Sequence, residues 1–544
     1  MATTQDVFIR KSSGLTRQIS PRDALMYCAQ NPGLLYCFVY IVWAPAFYPG
    51  VNMTLGVLTV LLFLPIAALY WYFSVAMPRS GGEYVYISRT LHPSLGLWAS
   101  FMISATAVSW TGTIQDWWIR WGLNDAIRAV GIARGADTWI NVANTLDQSW
   151  IRFLIGTVSI VVLLTWLYLL GTKAMMRVSY WAVAFAWLAV IILGVLVLVT
   201  GQRGFEENFN RLSGTEYQAI LQAGRHAGAI FGIGAFATLY GGLTYIGLNT
   251  LGQTFSANLA GEIRGVSKSQ ALALFGSLAM QMVIWFAAYQ LVYSGVGVNF
   301  MHSIDSLWNA RFSAVSDPNA LYPPTMVHAH TSSEPVPMLL MAFFTGNPIL
   351  ILLFGISFIV ATWVSLAGLG FAPIRNVFAW SFDRMIPTRF ADIRTRYRAP
   401  VYSIAAIIVV AEIYFILQVF KPSYVGAIAF TIIAWFLAWA VLGVAGILFP
   451  FRRKELFQGA PPSVQRRLGG MPIVSILGFV TLAVSVMVEW FILKPFFEGS
   501  LSWSQLVTVG VMAAIPVVIY AIAHFYHNRR GIPLALQFSE VPPE

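Results

Sequence analysis

YCAQNPGLLYCFVYIVWAP, from Tyr27 to Pro45, is the first long apolar stretch of the chain. It has the composition of a membrane-spanning helix, except that Asn31-Pro32-Gly33 stands in its first third. Inside a helix, a proline costs about 3 kcal/mol and a glycine about 1 kcal/mol. The motif therefore predicts a helix that is broken within the membrane.

The bulk composition indicates a membrane protein. Of 544 residues, 58% are hydrophobic and only 10% are charged, against roughly 25% charged residues in a soluble domain. We predict an all-α integral membrane protein whose partners are the lipid bilayer and a small-molecule substrate. The net charge of +11 does not indicate nucleic acid, because the basic residues form short clusters between apolar runs rather than one basic face.

Twelve segments reach the roughly 20 apolar residues that a membrane span needs. They are Ala24–Pro45, Thr54–Met77, Ser94–Trp121, Trp150–Leu170, Val178–Thr200, Gly228–Ala260, Ala271–Val296, Ile349–Phe371, Val401–Phe420, Tyr424–Phe449, Pro472–Leu493 and Leu501–Phe525. We therefore predict a multi-pass protein of about twelve transmembrane helices.

The largest basic clusters, Arg375–Arg398 and Arg452–Arg467, indicate the orientation. Cytoplasmic loops carry an excess of Lys and Arg. With an even number of spans, both clusters lie on the same side of the membrane as the two termini. We expect a plasma-membrane protein whose tails, residues 1–23 and 528–544, are cytoplasmic.

The sixth segment is too long for a straight span. Its 33 residues, Gly228–Ala260, would make a helix of about 50 Å, against a hydrocarbon core of about 30 Å. It contains TLYGGLTYIGLNTLGQ, Thr238–Gln253. Paired interruptions in corresponding spans of two halves point to a midplane binding site in a secondary transporter. In the alternative interpretation, glycines in membrane helices serve only to let helices pack closely. This alternative explains a single glycine well, but it explains two interruptions in corresponding spans less well.

Three connecting stretches resemble the amino acid/polyamine/organocation (APC) superfamily. MPRSGGEYVYISRTLHPSLGLWASF, Met77–Phe101, resembles its connection between spans two and three. IRNVFAWSFDRMIPTRFADIRTRYRAP, Ile374–Pro400, resembles the connection between spans eight and nine, and LAGEIRG, Leu259–Gly265, resembles the segment that closes span six. The order and spacing of these matches favour a permease of this superfamily.

The resemblance implies a LeuT-like fold. Ten core helices would form two inverted repeats of five, with discontinuous helices 1 and 6, and two C-terminal helices would follow. The implied division is a first repeat over residues 24–200, a second over residues 201–420 whose tenth helix extends to residue 449, and residues 450–527 with two further helices and a basic cytoplasmic loop.

The resemblance also implies a substrate site at the two interruptions. Amide groups that open the second half of span one would bind a carboxylate, and carbonyl groups freed in span six would bind an ammonium group. We favour a break at Tyr245-Ile246-Gly247; Gly252 fits the distance to Glu262 better but lacks the aromatic residue. The candidate substrate-binding residues are Asn31, Pro32, Gly33, Leu34, Tyr240, Gly241, Tyr245, Ile246, Gly247 and Asn249.

The coupling ion is expected to be sodium or a proton. Span five, Val178–Thr200, contains no lysine, so it lacks the group that proton-coupled relatives often carry there. Thr362 and Ser365 are candidate sodium ligands, and Glu412 is a candidate proton relay. No metal site is expected. Asp116 is expected to pair with Arg120, one turn away.

The predicted function is secondary active transport of amino acids by alternating access. Without an evident acid in the matched stretches, we expect a preference for neutral over cationic amino acids. The alternative is a transporter of the same fold for nucleobases, polyamines or other organic cations. A polytopic membrane enzyme is disfavoured, because the sequence contains neither HExxH nor a P-loop nor a cluster of catalytic residue types.

Overall fold

The computed structural model of this chain describes residues 17–31, 33–312, 317–394, 399–421, 431–497, 503–531 and Phe538. The α-helices are α1 (Pro21–Gln30), α2 (Cys37–Phe47), α3 (Met53–Ala76), α4 (Glu83–Thr90), α5 (Pro93–Trp117), α6 (Asp125–Arg134), α7 (Asp137–Leu146), α8 (Ser149–Leu170), α9 (Thr172–Leu212), α10 (Tyr217–His226), α11 (Ala235–Gly241), α12 (Gly247–Thr250), α13 (Val266–Val296), α14 (Val298–Phe312), α15 (Pro337–Phe344), α16 (Pro348–Phe382), α17 (Val401–Phe420), α18 (Thr431–Arg452), α19 (Lys454–Gln458), α20 (Ile473–Phe497) and α21 (Trp503–Asn528). The strands form two antiparallel pairs, β1 (Ile393–Arg394) with β2 (Ala399–Pro400), and β3 (Arg467–Leu468) with β4 (Met471–Pro472).

Nine helices in the described part of the chain are long and apolar enough to cross a membrane. They are α3, α8, α9, α13, α16, α17, α18, α20 and α21. Each overlaps one of the twelve predicted segments, and the prediction of an all-α membrane protein is confirmed. The third predicted segment is α5 with the π-helical turn Trp118–Asn124 after it, and the first and sixth segments are in pieces. The count of twelve spans stays a prediction.

The first span is two helices joined by a short non-helical segment. α1 begins with a reciprocal cap, in which the Ser20 hydroxyl accepts from the Asp23 amide and the Asp23 carboxylate accepts from the Ser20 amide. It ends at Gln30, and α2 begins at Cys37. Gly33 between them has a φ of +71°, which favours glycine. Pro32 lies outside the described residues.

The sixth span changes its helical geometry twice. A π-helical turn, Gly242–Ile246, separates α11 from α12, and a 3₁₀ helix, Leu251–Ser256, follows α12. The predicted break at Tyr245-Ile246-Gly247 is therefore wrong, because the chain remains helical through these residues. The regular helix ends at Thr250, close to the alternative position at Gly252.

The long connection 297–347 contains two further helices, α14 and α15, and two of its residues make buried polar contacts with α6 and the π-helical turn before it. Glu334 contacts Arg120 at 2.7 Å, and His328 contacts Asp125 at 2.8 Å. Asp116 contacts Arg152 at 2.6 Å. The predicted pair between Asp116 and Arg120 is therefore wrong, because each group has a closer partner on another element. We call this side of the molecule the connection face.

The opposite side, which we call the network face, joins the ends of several spans. The Glu262 carboxylate accepts from the Arg375 guanidinium at 2.7 Å and from the Thr172 hydroxyl at 2.7 Å. Arg375 also donates to the Thr172 hydroxyl at 2.9 Å. Immediately before α1, the Ile19 amide donates to the Glu262 carbonyl at 3.0 Å. These bonds connect spans one, five, six and eight.

Cysteine labelling tests the predicted orientation. Thr388 lies on the network face between α16 and β1 and is exposed. A Thr388→Cys variant in intact cells is expected to resist an impermeant thiol reagent and to react once the membrane is permeabilised. The native cysteines, Cys28 and Cys37, are fully buried and give little background. Efficient labelling from outside would reverse the orientation.

Candidate functional site

A small cavity lies where the interruption of the first span meets the end of the sixth. Its volume is about 50 Å³, room for a few water molecules at roughly 10–15 Å³ each. Its lining residues are Asn31, Tyr36, Tyr40, Thr106, Ala107, Trp110, Ile114, Asn249, Gly252, Leu369, Ile432 and Trp435. None of these described residues carries a formal charge, so the cavity offers dipoles rather than ions to a ligand.

Asn31 borders the cavity on the side of the first span. Its carboxamide oxygen accepts from the Gln30 side-chain amide at 2.8 Å, and its backbone carbonyl accepts from the Ser365 hydroxyl at 3.1 Å. Its Nδ2 group is buried without a hydrogen-bond partner among the described residues. Asn31 thus has one unused donor beside the cavity, where a ligand oxygen could accept from it.

The start of α2 supplies backbone donors. The Gly33 amide donates to the Gln30 carbonyl at 3.0 Å, and the Tyr36 amide donates to the Gly33 carbonyl at 2.9 Å. Within the described chain, the amide groups of Leu34 and Cys37 make no hydrogen bond. Unpaired amides at a helix N-terminus carry a positive partial charge and attract anions. This end of α2 therefore has the chemistry of a carboxylate site.

Asn249 borders the cavity on the side of the sixth span. Its Nδ2 group donates to the Tyr245 carbonyl at 2.7 Å, which orients its Oδ1 atom toward the Tyr40 hydroxyl at 3.4 Å. Gly252 lies one turn further along, directly against the first span. A Cβ atom there would stand 2.9 Å from the backbone carbon and oxygen of Asn31, so the close contact between the two spans requires glycine.

Four aromatic residues, Tyr36, Tyr40, Trp110 and Trp435, form part of the remaining wall. Tyr36 lies edge-on to Trp117 with ring centroids 5.4 Å apart, and Tyr40 contacts Tyr245 at 5.4 Å. The Tyr36 hydroxyl and the Trp435 indole N–H are buried without partners among the described residues. Both are available to a ligand that enters the cavity.

Sequence reasoning missed several lining residues. Tyr36 and Tyr40 follow the interruption by one and two helical turns, and this spacing could have identified them. Trp110 and Trp435 come from α5 and α18, which carry no local signal of their own. Only the packing of distant spans brings these two residues to the cavity.

Several predicted residues lie away from the cavity. Tyr240 packs on Phe491 with ring centroids 4.6 Å apart. A Cβ atom on Gly241 would stand 2.7 Å from Val51, and one on Gly247 would stand 2.9 Å from Phe63. These glycines allow close packing of helices. Leu34, Tyr245 and Ile246 are buried next to the cavity walls without lining it.

The candidate ion ligands have different surroundings. Ser365 is already bonded to the Asn31 carbonyl, whereas the Thr362 hydroxyl is buried without a partner among the described residues. Glu412 lies between α17 and α8, where its Oε1 atom accepts from the Thr157 hydroxyl at 2.6 Å. The structure thus places Ser365 beside the interrupted first span and places Glu412 outside the cavity lining.

A comparison with protein-family models matches residues 33–537 to the amino acid permease family, and the chain belongs to this family. No curated protein matches the chain. The match confirms the resemblance to the APC superfamily and identifies a transporter of amino acids or related organic cations rather than an enzyme. Together with the apolar helices, it confirms a multi-pass membrane protein with a small-molecule substrate.

Proposed function

We propose that this member of the amino acid permease family carries small neutral amino acids by alternating access, and that the cavity between α2 and α12 is the substrate site. The observation that carries the proposal is an uncharged cavity next to the start of α2, where amide groups have no hydrogen-bond partner among the described residues. A substrate that brings its own carboxylate and ammonium group would supply both charges that the site lacks.

The carboxylate would lie at the start of α2. The Leu34 amide and the Asn31 Nδ2 group are the unused donors there. A helix N-terminus contributes roughly half a positive charge, which suits one carboxylate. α1 ends at Gln30, with Asn31 as its C-cap, so the Leu34 amide has no intrahelical acceptor among the described residues; the proline and glycine of Asn31-Pro32-Gly33 disfavour a continuous helix here.

The ammonium group would lie toward the sixth span. The Tyr245 carbonyl already accepts from Asn249, and the Gly247 carbonyl accepts from the Thr250 hydroxyl. We assign the ammonium group to Asn249 Oδ1 and the Tyr36 hydroxyl, because Asn249 and Tyr36 line the cavity whereas Tyr245 and Gly247 do not; Asn249 Oδ1 otherwise accepts only the 3.4 Å bond from Tyr40. In this assignment, side-chain oxygens bind the ammonium group instead of the freed backbone carbonyls of span six that the resemblance implies.

The size and charge of the cavity favour small neutral side chains. Its volume of about 50 Å³ and its apolar walls, Ile114, Leu369 and Ile432, leave little room beyond the amino acid backbone. A cationic side chain or a polyamine would bury a second charge without an acid in the lining, which is costly. Nucleobases, the other alternative class of substrate, would require a larger, flat cavity.

The wider architecture that we propose is twelve spans in the plasma membrane with both tails cytoplasmic. Residues 24–200 and 201–420 would form the inverted repeats, and residues 450–527 the C-terminal part. Sodium or a proton would be the coupling ion. For sodium, the unpaired Thr362 hydroxyl supports a ligand role.

Uptake by proteoliposomes tests the proposed substrate. Exchange of external labelled alanine for internal alanine is expected, with strong competition by serine or glycine and at least about tenfold weaker competition by arginine or spermidine, since tenfold corresponds to about 1.4 kcal/mol. The Asn31→Ala variant should weaken alanine binding, because it removes the unused Nδ2 donor. Strong competition by arginine or spermidine but none by serine would refute the assignment.

A further inference from the structure

Helix α14 buries a carboxyl group that has no partner in the described part of the chain. Asp305 is 0% exposed, and neither of its carboxylate oxygens has a hydrogen-bond partner among the described residues. An isolated ionised carboxylate is very costly to bury, and such a group takes up a proton instead. Burial raises the pKa of Asp305 well above its usual range. Burial therefore favours the neutral form of Asp305 in this conformation.

Among the described residues, no cation pairs with Asp305. The titratable or charged groups on its own helix and on the elements packed around it are His302, Arg311, Tyr217, Arg225, His226, Cys37, Tyr40, Lys268, Tyr289, Tyr293 and Tyr322. Tyr293 and Tyr322 lie close enough to interact with it electrostatically. Arg311 donates instead to the Ala320 carbonyl at 2.9 Å, and Arg225 lies over the Phe231 ring at 4.3 Å.

α14 packs directly on the half of the first span that borders the cavity. Asn309 Nδ2, one turn after Asp305, donates to the Ala46 carbonyl in α2 at 3.2 Å. On its other side, α14 is held against α10, where a Cβ atom on Gly224 would overlap Ser303. A movement of α2 away from α14 would therefore change the surroundings of Asp305.

We propose that Asp305 is a proton-binding site that couples proton uptake to closure of the connection face. When α2 moves away from α14 and water reaches the carboxylate, Asp305 releases its proton to that water. When the contact re-forms, one proton passes from water to the carboxylate, and no other bond changes. A proton is also the ligand that needs no cavity beside the group that binds it. This inference rests on the proposed function and adds regulation by pH to it, because the proton enters and leaves on the connection face.

The direction of the pH dependence follows from the raised pKa. The packed form binds the proton more tightly than an open form in which water surrounds the carboxylate. Low pH therefore stabilises the packed form, and this stabilisation is lost as the pH rises through the raised pKa of Asp305. Alkaline conditions on the connection face should favour opening.

The test compares Asp305→Asn with wild type in proteoliposomes, with the membrane potential held at zero by potassium and valinomycin. The rate of alanine exchange is measured at a series of pH values, with the same pH on both sides of the membrane. We expect the wild-type rate to change as the pH rises, because loss of the proton favours opening, whereas the rate of Asp305→Asn should not respond to pH through this site, because its amide mimics the neutral acid. Asp317→Asn, a change of an exposed acid in the same connection, should respond to pH as wild type does.

The outcomes separate the two proposals. Wild type that fails to exchange alanine contradicts the proposed function. If wild type exchanges alanine at a rate that does not depend on pH, or if Asp305→Asn shows the same pH dependence as wild type, the proton site alone is overturned. Should Asp305→Asn fail to insert, infrared spectra of wild type and Asp305→Glu decide instead. A protonated carboxyl band that appears at neutral pH and shifts in Asp305→Glu supports the site, and its absence in wild type refutes it.

Discussion

Replacing Gly252 by alanine is expected to reduce the rate of alanine uptake by at least about tenfold, the equivalent of about 1.4 kcal/mol. The new Cβ atom would lie 2.9 Å from the carbon and oxygen of the Asn31 backbone, a contact that forces the main chain to shift. That shift separates the two interrupted spans and displaces the Asn31 donor from the cavity. Initial rates of uptake and the half-saturating alanine concentration measure the effect.

The matched control is Gly194→Ala in α9. There the added Cβ atom would meet only Leu291, at an ordinary distance of 3.6 Å. This variant should transport alanine at the wild-type rate. If Gly252→Ala also retained the wild-type rate and affinity, the cavity between the two spans would not be the substrate site.

Breaking the buried ion pair on the network face should destabilise the folded protein strongly. Arg375→Met leaves the Glu262 carboxylate, which is 1% exposed, without its cation. The loss of one partner of a buried pair costs about 3–5 kcal/mol. Thermal unfolding in detergent, followed by the loss of monodisperse protein, is expected to occur at a clearly lower temperature.

Two further variants show whether the unpaired charge causes the loss. Glu262→Gln combined with Arg375→Met removes both charges and should recover much of the stability. Arg203→Met breaks an ion pair in which Arg203 and Glu207 are 93% and 66% exposed, and such surface pairs contribute little. A double variant as unstable as Arg375→Met would assign the loss to packing instead.

The interruption of the first span was predictable because its cause is local. Proline and glycine in Asn31-Pro32-Gly33 disfavour a helix wherever they occur. The register in the sixth span was not predictable in this way, since Gly241 and Gly247 are as compatible with close packing as with a break. Only their contacts with Val51 and Phe63 distinguish the two roles.

The aromatic and polar walls of the cavity depend on tertiary structure. Trp110 and Trp435 are far apart in the sequence, and each would fit a lipid-facing position equally well. The buried state of Asp305 is equally hidden, because an aspartate in a long polar connection normally faces water. Composition and periodicity describe single spans, whereas these features come from the packing of several.

The hydrogen bonds ahead of α1 have a mechanical consequence. The amides of Gln18 and Ile19 donate to the Glu262 carbonyl at 2.9 and 3.0 Å, and the Arg264 amide donates back to the Ile19 carbonyl at 3.0 Å. These three hydrogen bonds connect the beginning of the first span to the end of the sixth. We therefore expect α1 and the end of the sixth span to move together, so that a rotation of α1 relative to α2 would be accompanied by a rotation about residues 251–256.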